Sequence, residues 1–335
     1  MRVLVVCRYK DNFVGNVAPF VREQGAALEA LSNERVNGLT SERIVVEYFM
    51  VKGNYLKAVG ELKKKIKEWK PDIIHAHYGI TAIVAEMQSE VPVVTTFHDG
   101  ETHVWYVNLL STLFSLRAKH VIYVAQHNRD LCYFKAKNYS IIPCGIDLDK
   151  MVITPKEEAR KQLGWRDDTK YIVFGGAFDN ERKNYKLLAE AVERMNGLMG
   201  ERIEIVELKM LTREECVSRM CGADLFALPS HREGSPQVIK EAMAVNCPSI
   251  ATDIADIKVL FGDEPGHWLL RNPKNTPWLW EADEKSLDEM VELIKKGLSF
   301  PGRTNGRKRI EELGLSNEQV ARKIVKIYET ILARR

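Results

Sequence analysis

The sequence lacks any run near the ~20 apolar residues that a membrane-spanning helix requires. It opens on a short apolar strand pattern, with no charged and apolar leader before it. Its six cysteines never form Cys-x-x-Cys and never pair with histidine at zinc spacing, which excludes a zinc ribbon or a disulfide framework. A reducing, cytoplasmic setting is therefore expected. Glycine is scarce where a dinucleotide binder needs it. After the first strand, Arg2 to Cys7, the loop offers only Gly15-Asn16 instead of Gly-x-Gly-x-x-Gly, which argues against a dehydrogenase. A strong charge of one sign is also missing. With 49 Lys and Arg against 46 Asp and Glu, no nucleic-acid partner is expected.

What is present is alternation. Short apolar runs of buried-strand type alternate with helical patterns through 335 residues, a length for about two domains. The expected class is α/β, with two successive blocks that each form a parallel sheet. The first block has strands near 2–7, 44–51, 72–77, 91–97 and 121–125. The second has strands near 171–174, 203–208 and 224–229. Thr212 and Ser316 are expected to cap helices. His98-Asp99-Gly100 follows the strand ending at Phe97, at the carboxyl end where open α/β sheets place their ligands. His75 and His77 are read as pointing to opposite faces of their strand, so they are not expected to share a metal. His77 is taken as lining the cleft and His75 as structural. His103 and Trp105 are read as edging a ligand pocket.

One stretch organises the rest. The strand from Asp224 to Pro229 runs into Ser230-His231-Arg232-Glu233-Gly234-Ser235-Pro236-Gln237, and a helix leaves it through Glu241 to Ala244. Ser235 is expected as N-cap, with Pro236 at the first helical position. A helix amino terminus attracts phosphate. Carboxylates suit hydroxyl donors, and Glu233 and Glu241 flank this terminus. A ligand with both parts is a sugar nucleotide. The plain alternative is an ordinary strand, loop and helix with Glu241 in solvent.

Glu233 and Glu241, with seven residues between them, resemble the Glu-x7-Glu motif of the family 4 retaining glycosyltransferases. So do the flanking Glu-Ala-Met-Ala and Pro-Ser-Ile-Ala-Thr-Asp (248–253). Ser140 to Asp147 is similar to that family's Ile-Pro-Asn-Gly-Ile-Asp strand and hinge, with Cys144 in place of asparagine. Asn180 to Asn184 resembles its phosphate loop. The resemblance implies a GT-B architecture, two Rossmann-like domains facing across a cleft. The amino-terminal acceptor domain would span 1–150, with the last helix, 317–335, crossing back to it. The donor domain would span 151–316.

The same resemblance implies roles. Lys183, assisted by Arg182, would stabilise the leaving diphosphate, and Gly234, Ser235, Pro236 and Gln237 would add the helix terminus. Glu233 would hold sugar hydroxyls and Glu241 the ribose. His98 would contact the transferred sugar. Gly15 would approach the phosphates, or be a plain turn glycine. The reaction implied is sugar transfer from a nucleotide sugar to an acceptor hydroxyl, with retention and without metal or other cofactor. The acceptor would be a carbohydrate or lipid-linked molecule of polysaccharide or glycolipid assembly. Ala177, where the family has arginine, Val259, where it has glutamate, and one missing strand–helix unit depart from the pattern. They keep open a catalytically silent sugar-nucleotide-binding or scaffolding protein. A nucleotide-sugar 2-epimerase ranks lower. Lys57 to Lys70 carries six lysines and two acids. That helix is read either as a solvated face or, around Lys63 to Lys67, as contact with the inner face of a membrane.

Overall fold

The computed structural model describes the chain except residues 12, 32–42, 200–201, 273–283 and 335. Trp278 and Trp280 lie outside the described residues. The chain forms two compact units: 1–145 with 315–335, and 146–314.

The first unit alternates strand and helix in chain order: β1 (Arg2–Arg8), α1 (Pro19–Leu31), β2 (Val45–Val51), α2 (Tyr55–Trp69), β3 (Ile73–His77), α3 (Gly79–Glu86), β4 (Val93–Phe97), α4 (Trp105–Ser115), β5 (His120–Tyr123), α5 (Gln126–Asp130) and β6 (Tyr139–Ile141). Its six strands lie in the order β2-β1-β3-β4-β5-β6, all parallel. The order reverses between β1 and β3, which makes a crevice at their carboxyl ends. Strands β3 and β4 are buried at every position, as strands are when helices cover both sides of a parallel sheet.

The second unit continues with α6 (Lys156–Leu163), β7 (Thr169–Phe174), α7 (Tyr185–Met199), β8 (Arg202–Glu207), α8 (Arg213–Gly222), β9 (Leu225–Leu228), α9 (Gln237–Ala244), β10 (Ser249–Thr252), α10 (Ile257–Phe261), β11 (His267–Leu270), α11 (Glu284–Leu298) and α12 (Gly306–Glu312). The sheet order is β11-β10-β9-β7-β8, again parallel throughout. Its reversal falls between β7 and β9. The loops after those two strands carry the Lys183 and Glu233 segments. The core beneath them joins Ile172, Phe174, Leu188, Leu225, Ile250 and Ile294.

The last helix, α13 (Asn317–Leu332), belongs to the first unit. Val320, Ala321, Ile324 and Tyr328 share one core with Val3, Val5, Val21 and Leu28. Ser316 caps it in a capping box with Gln319, and Thr212 caps α8 in the same way with Glu215. Two expectations are corrected. The helix after Glu233 begins at Gln237 with Pro236 as N-cap, and no side chain caps it. Ser235 fails as cap because its hydroxyl donates to Asp256 Oδ2 at 2.6 Å. His75 and His77 lie on one face, not two, because a strand's period is two. Their rings stack at 4.4 Å.

Candidate active site

In the second unit the site is built from two loops at the strand reversal. After β7 the chain turns through Gly175 and Gly176. A Cβ on Gly176 would stand 2.9 Å from Lys183 Cγ, so glycine there lets the lysine stem cross the backbone. A short 3-10 turn, Glu181–Lys183, then leads into α7. Lys183 is no surface lysine, since its side chain is 12 % exposed. Its Nζ donates to Glu233 Oε1 at 2.6 Å. Arg182 Nη1 donates to Glu233 Oε2 at 3.1 Å and to the Arg232 carbonyl at 2.9 Å. The His231 amide donates to the Arg182 carbonyl at 2.9 Å, which ties the two loops by backbone as well.

Glu233 is buried, and burial by itself would raise its pKa. Lys183 and then Arg182 outweigh that and hold it below the usual carboxylate range. It is an ionised acceptor in a poorly solvated place. Beside it a pocket of about 370 Å³ is walled by Gly176, Lys183, Pro236, Gln237 and Glu241. The first turn of α9 faces this pocket, and first-turn amides have no partner within a helix. Glu241, one turn along α9, pairs with Arg213 at 3.4 Å. Cys216, one turn beyond Arg213, also lines the pocket. Burial pushes its thiol up to about 11, so it stays neutral.

The first unit has a different group at its own strand reversal. Gly15 sits in the loop after β1 with φ 66°, a left-handed turn that favours glycine. Tyr78 after β3 and Asp99 after β4 have φ of 75° and 131°. Such conformations cost of order 1–3 kcal/mol each and persist only where the surroundings enforce them. Glu101 is the enforcing group. Its buried carboxylate accepts the amides of His98 (2.9 Å), Asp99 (3.2 Å) and Gly79 (3.3 Å), binding the loops after β3 and β4 together. Burial raises its pKa to about 7, against the lowering effect of those amides.

His98 is centred in this group. Its Nε2 lies 3.1 Å from His77 Nδ1 and its Nδ1 lies 3.7 Å from Cys144 Sγ. The rings of Phe20 and Tyr78 are each 4.8 Å away. Behind it, His75 is held by Tyr328 at 2.5 Å and Thr96 at 2.7 Å. Burial drives the His77 pKa down to about 3 and lowers that of His75 as well, so both rings are neutral. One ring of the His77–His98 pair donates and the other accepts. His103 bonds Asp99 at 2.7 Å, and Trp105 stands in solvent at the start of α4. Among the described residues no cluster of three or more His, Cys, Asp or Glu could hold a metal ion.

Residues 14–150 match the description of Glycosyltransferase Family 4, and residues 169–282 that of Glycosyl transferases group 1. The chain belongs to this family of glycosyltransferases. It is 29 % identical over 254 residues to the teichuronic acid biosynthesis glycosyltransferase TuaC of Bacillus subtilis, a match spanning 68 % of this chain and 64 % of TuaC. It is 26 % identical over 202 residues to a D-inositol 3-phosphate glycosyltransferase of Mycobacteroides abscessus, across 53 % of this chain and 43 % of the relative. The chain thus spans less than two thirds of the length of these relatives. Among solved structures, sucrose-phosphate synthase from Thermosynechococcus elongatus aligns with a TM-score of 0.76 at 18 % identity over 100 % of both chains. Anabaena HepE in complex with UDP aligns at 0.68 and 15 % identity, over 98 % of this chain and 100 % of HepE. These likenesses carry the fold, the two parallel sheets of the GT-B class.

Within this family member the second unit brings Arg182, Lys183, Glu233, Gly234, Ser235, Pro236, Gln237 and Glu241 to one strand reversal. Gly15 and His98 stand at the reversal of the first unit. Sequence reading missed Arg213, Glu101 and the His77 contact. Arg213 and Glu101 carry no motif. Only the period of two between His75 and His77 was a usable signal.

Proposed function

We propose that the chain transfers a sugar from a nucleoside-diphosphate sugar to an acceptor hydroxyl, with retention and without a metal. The observation that carries this is the pair of cations closed on buried Glu233 beside the amino terminus of α9. A cation pair and a helix terminus together suit a diphosphate leaving group. Charge stabilisation of this kind is often the largest single term in catalysis, and Lys183 and Arg182 supply it where a metal otherwise would. Glu233, kept ionised, accepts hydrogen bonds from sugar hydroxyls, and Glu241 those of the ribose. His98, hydrogen-bonded to neutral His77, presents a polar ring to the transferred sugar. The departing phosphate takes the acceptor's proton, so no protein nucleophile is needed.

HepE has been solved with UDP and TuaC is named for teichuronic acid synthesis. The first supports a nucleotide-sugar donor and the second a role in polysaccharide assembly; the carbohydrate or lipid-linked acceptor and a cytoplasmic place at the inner face of a membrane are part of the proposal. The test is calorimetric titration with UDP, GDP and ADP, on wild type and on Lys183→Ala. One nucleotide is expected to bind and to lose affinity in the variant, after which a sugar panel on that base reads turnover. Binding without turnover on any sugar and acceptor would favour the silent scaffold. No binding at all would remove the donor site.

A further inference from the structure

Helix α4 is turned inside out. Its buried residues are Asn108, Ser111, Thr112 and Ser115. Its solvent face carries Trp105, Leu109, Leu110, Leu113 and Leu116, with Trp105 67 % exposed and Leu116 48 %. Amphipathic helices of soluble domains normally do the reverse.

The buried polar face has a structural account. A Cβ on Gly79 would collide with Ser111, so α3 and α4 approach too closely for large side chains. Asn108 Nδ2 donates to the carbonyls of Thr102 and Leu131, and its Oδ1 accepts the Tyr133 amide. Thr112 Oγ1 accepts the Phe134 amide. The exposed apolar face has no such account, because none of the described residues covers it. The same hydrogen bonds fasten the 131–134 segment alongside α4, and Leu131, Tyr133 and Phe134 are exposed there too, Tyr133 at 60 %. A contiguous apolar patch of this kind marks an interaction surface.

Charge says what covers it. From Val104 to Lys137 the chain has five Lys and Arg (Arg117, Lys119, Arg129, Lys135, Lys137) and a single acid, Asp130. Arg117, Lys119, Lys135 and Lys137 are exposed. Glu86 and Glu90 share a pocket with Arg117 and Lys119, so the cationic edge of the patch is carried by Lys135 and Lys137. Apolar side chains, aromatics with polar edges and such a cationic edge are what an anionic bilayer surface recognises. A second copy of the chain fits poorly. A two-fold contact through this face would bring each cationic flank toward its own equivalent. Helix α2, the lysine-rich candidate from sequence, keeps Ala58, Leu62 and Ile66 in the core. Three of its lysines are paired: Lys57 with Glu61, Lys64 with Glu68, and Lys65 with Glu47. It has no apolar face left to insert.

We propose that the outer face of α4, with the 131–134 segment and its flanking Lys135 and Lys137, seats the chain on an anionic lipid surface. This rests on the membrane placement proposed above, but its readout is vesicle binding and needs no turnover. The test is co-sedimentation of the full chain with phosphatidylcholine vesicles, with and without phosphatidylglycerol, at low and high salt. Wild type is expected to sediment only with the anionic vesicles and to be weakened by salt. Leu109→Ser with Leu113→Ser is expected to reduce binding by about tenfold or more, from the lost apolar burial. Its circular dichroism should stay that of wild type, since both leucines are exposed. Lys135→Gln with Lys137→Gln should weaken binding and its salt dependence. Lys64→Gln with Lys67→Gln, in α2, should change nothing. The proposal is overturned if wild type ignores anionic vesicles, or if the α2 variant loses as much as the α4 variant. It is equally overturned if light scattering shows a dimer that the leucine variant dissolves, because the occupant is then a second copy.

Discussion

The two units place functional groups at the same point of the same topology and fill it with opposite chemistry. In the second unit the reversal between β7 and β9 holds full charges: Lys183 and Arg182 on Glu233, and Arg213 on Glu241. In the first unit the reversal between β1 and β3 holds neutral rings, His75, His77 and Tyr78, packed around His98. The sheet supplies the crevice in both cases. The loops decide what enters it. A charged crevice suits a diphosphate, and a neutral one suits sugar hydroxyls, which want hydrogen bonds rather than ions.

The largest effect should come from breaking the charged side. On the proposed reading, Lys183→Ala removes the stabiliser of a leaving diphosphate and is expected to lower kcat by about 10²–10³, the usual cost of one such group. It also leaves Glu233 with Arg182 alone, so the variant should melt lower than wild type. Glu233→Gln combined with Lys183→Ala should recover much of that melting loss but none of the turnover, because a buried charge that has lost one of its two cations is removed. Single-turnover rates and calorimetric melts read the two effects apart. His98→Ala tests the neutral side. It should lower kcat while leaving nucleoside diphosphate affinity unchanged. An equal loss of nucleotide affinity would show that the two reversals are not chemically divided as described.

The units should also respond oppositely to pH. In the first unit, burial raises the Glu101 pKa to about 7 and that of Glu86 to about 8, while an unfolded glutamate titrates near ~4.3. The folded state therefore holds more protons, and stability falls as pH rises through these values. The buried histidines work the other way, but only below about 6.5, where the unfolded imidazole begins to charge. Between about pH 6.5 and 7.5, below the range where unfolded cysteines ionise, the acids dominate, so the first unit should lose protection as pH rises. Glu233 is ionised throughout that window and loses its stabilising share only at acid pH. Amide exchange by mass spectrometry, corrected for intrinsic rates, should show this slope in peptides of 1–145 and not in 146–314. Glu86→Gln with Glu101→Gln should flatten it. A slope of equal size in both units would sink the assignment. Glu101→Gln alone should also lower kcat more than it raises KM, because Glu101 holds the His98 loop without facing the crevice as a ligand would.

The division into strands and helices was legible because buried parallel strands are continuous apolar runs and helix caps are local. Thr212 and Ser316 announce their helices within four residues. Glu233, Glu241 and Lys183 were legible through motif resemblance. What escaped depends on distant partners. Ser235 looked like an N-cap until Asp256, twenty-one residues on, claimed its hydroxyl. Arg213 reaches Glu241 only because α8 packs beside α9. The inversion of α4 follows from the close approach of Gly79 to Ser111, which no periodicity reveals. His75 and His77 were a different failure. Residues two apart on a strand stand on one face, so their stacking is local and present in the spacing itself.

The smallest effect separates a cap that serves a site from one that serves only the fold. Thr212 and Ser316 make the same capping box, one in each unit. Each changed to alanine should cost about 0.5–2 kcal/mol of stability. The two should differ in binding. Arg213 is the first residue of α8, so fraying that turn loosens the Arg213–Glu241 pair and leaves Glu241 less well placed for a ribose. Thr212→Ala should weaken nucleotide binding by a few-fold, roughly one lost neutral hydrogen bond. Ser316→Ala, in a helix whose buried face meets only the core of the first unit, should leave it unchanged. Calorimetry of both variants against the same nucleotide decides it. Equal affinities would mean that Glu241 holds its position without Arg213, and that the charge pair in the second unit is packing rather than part of the site.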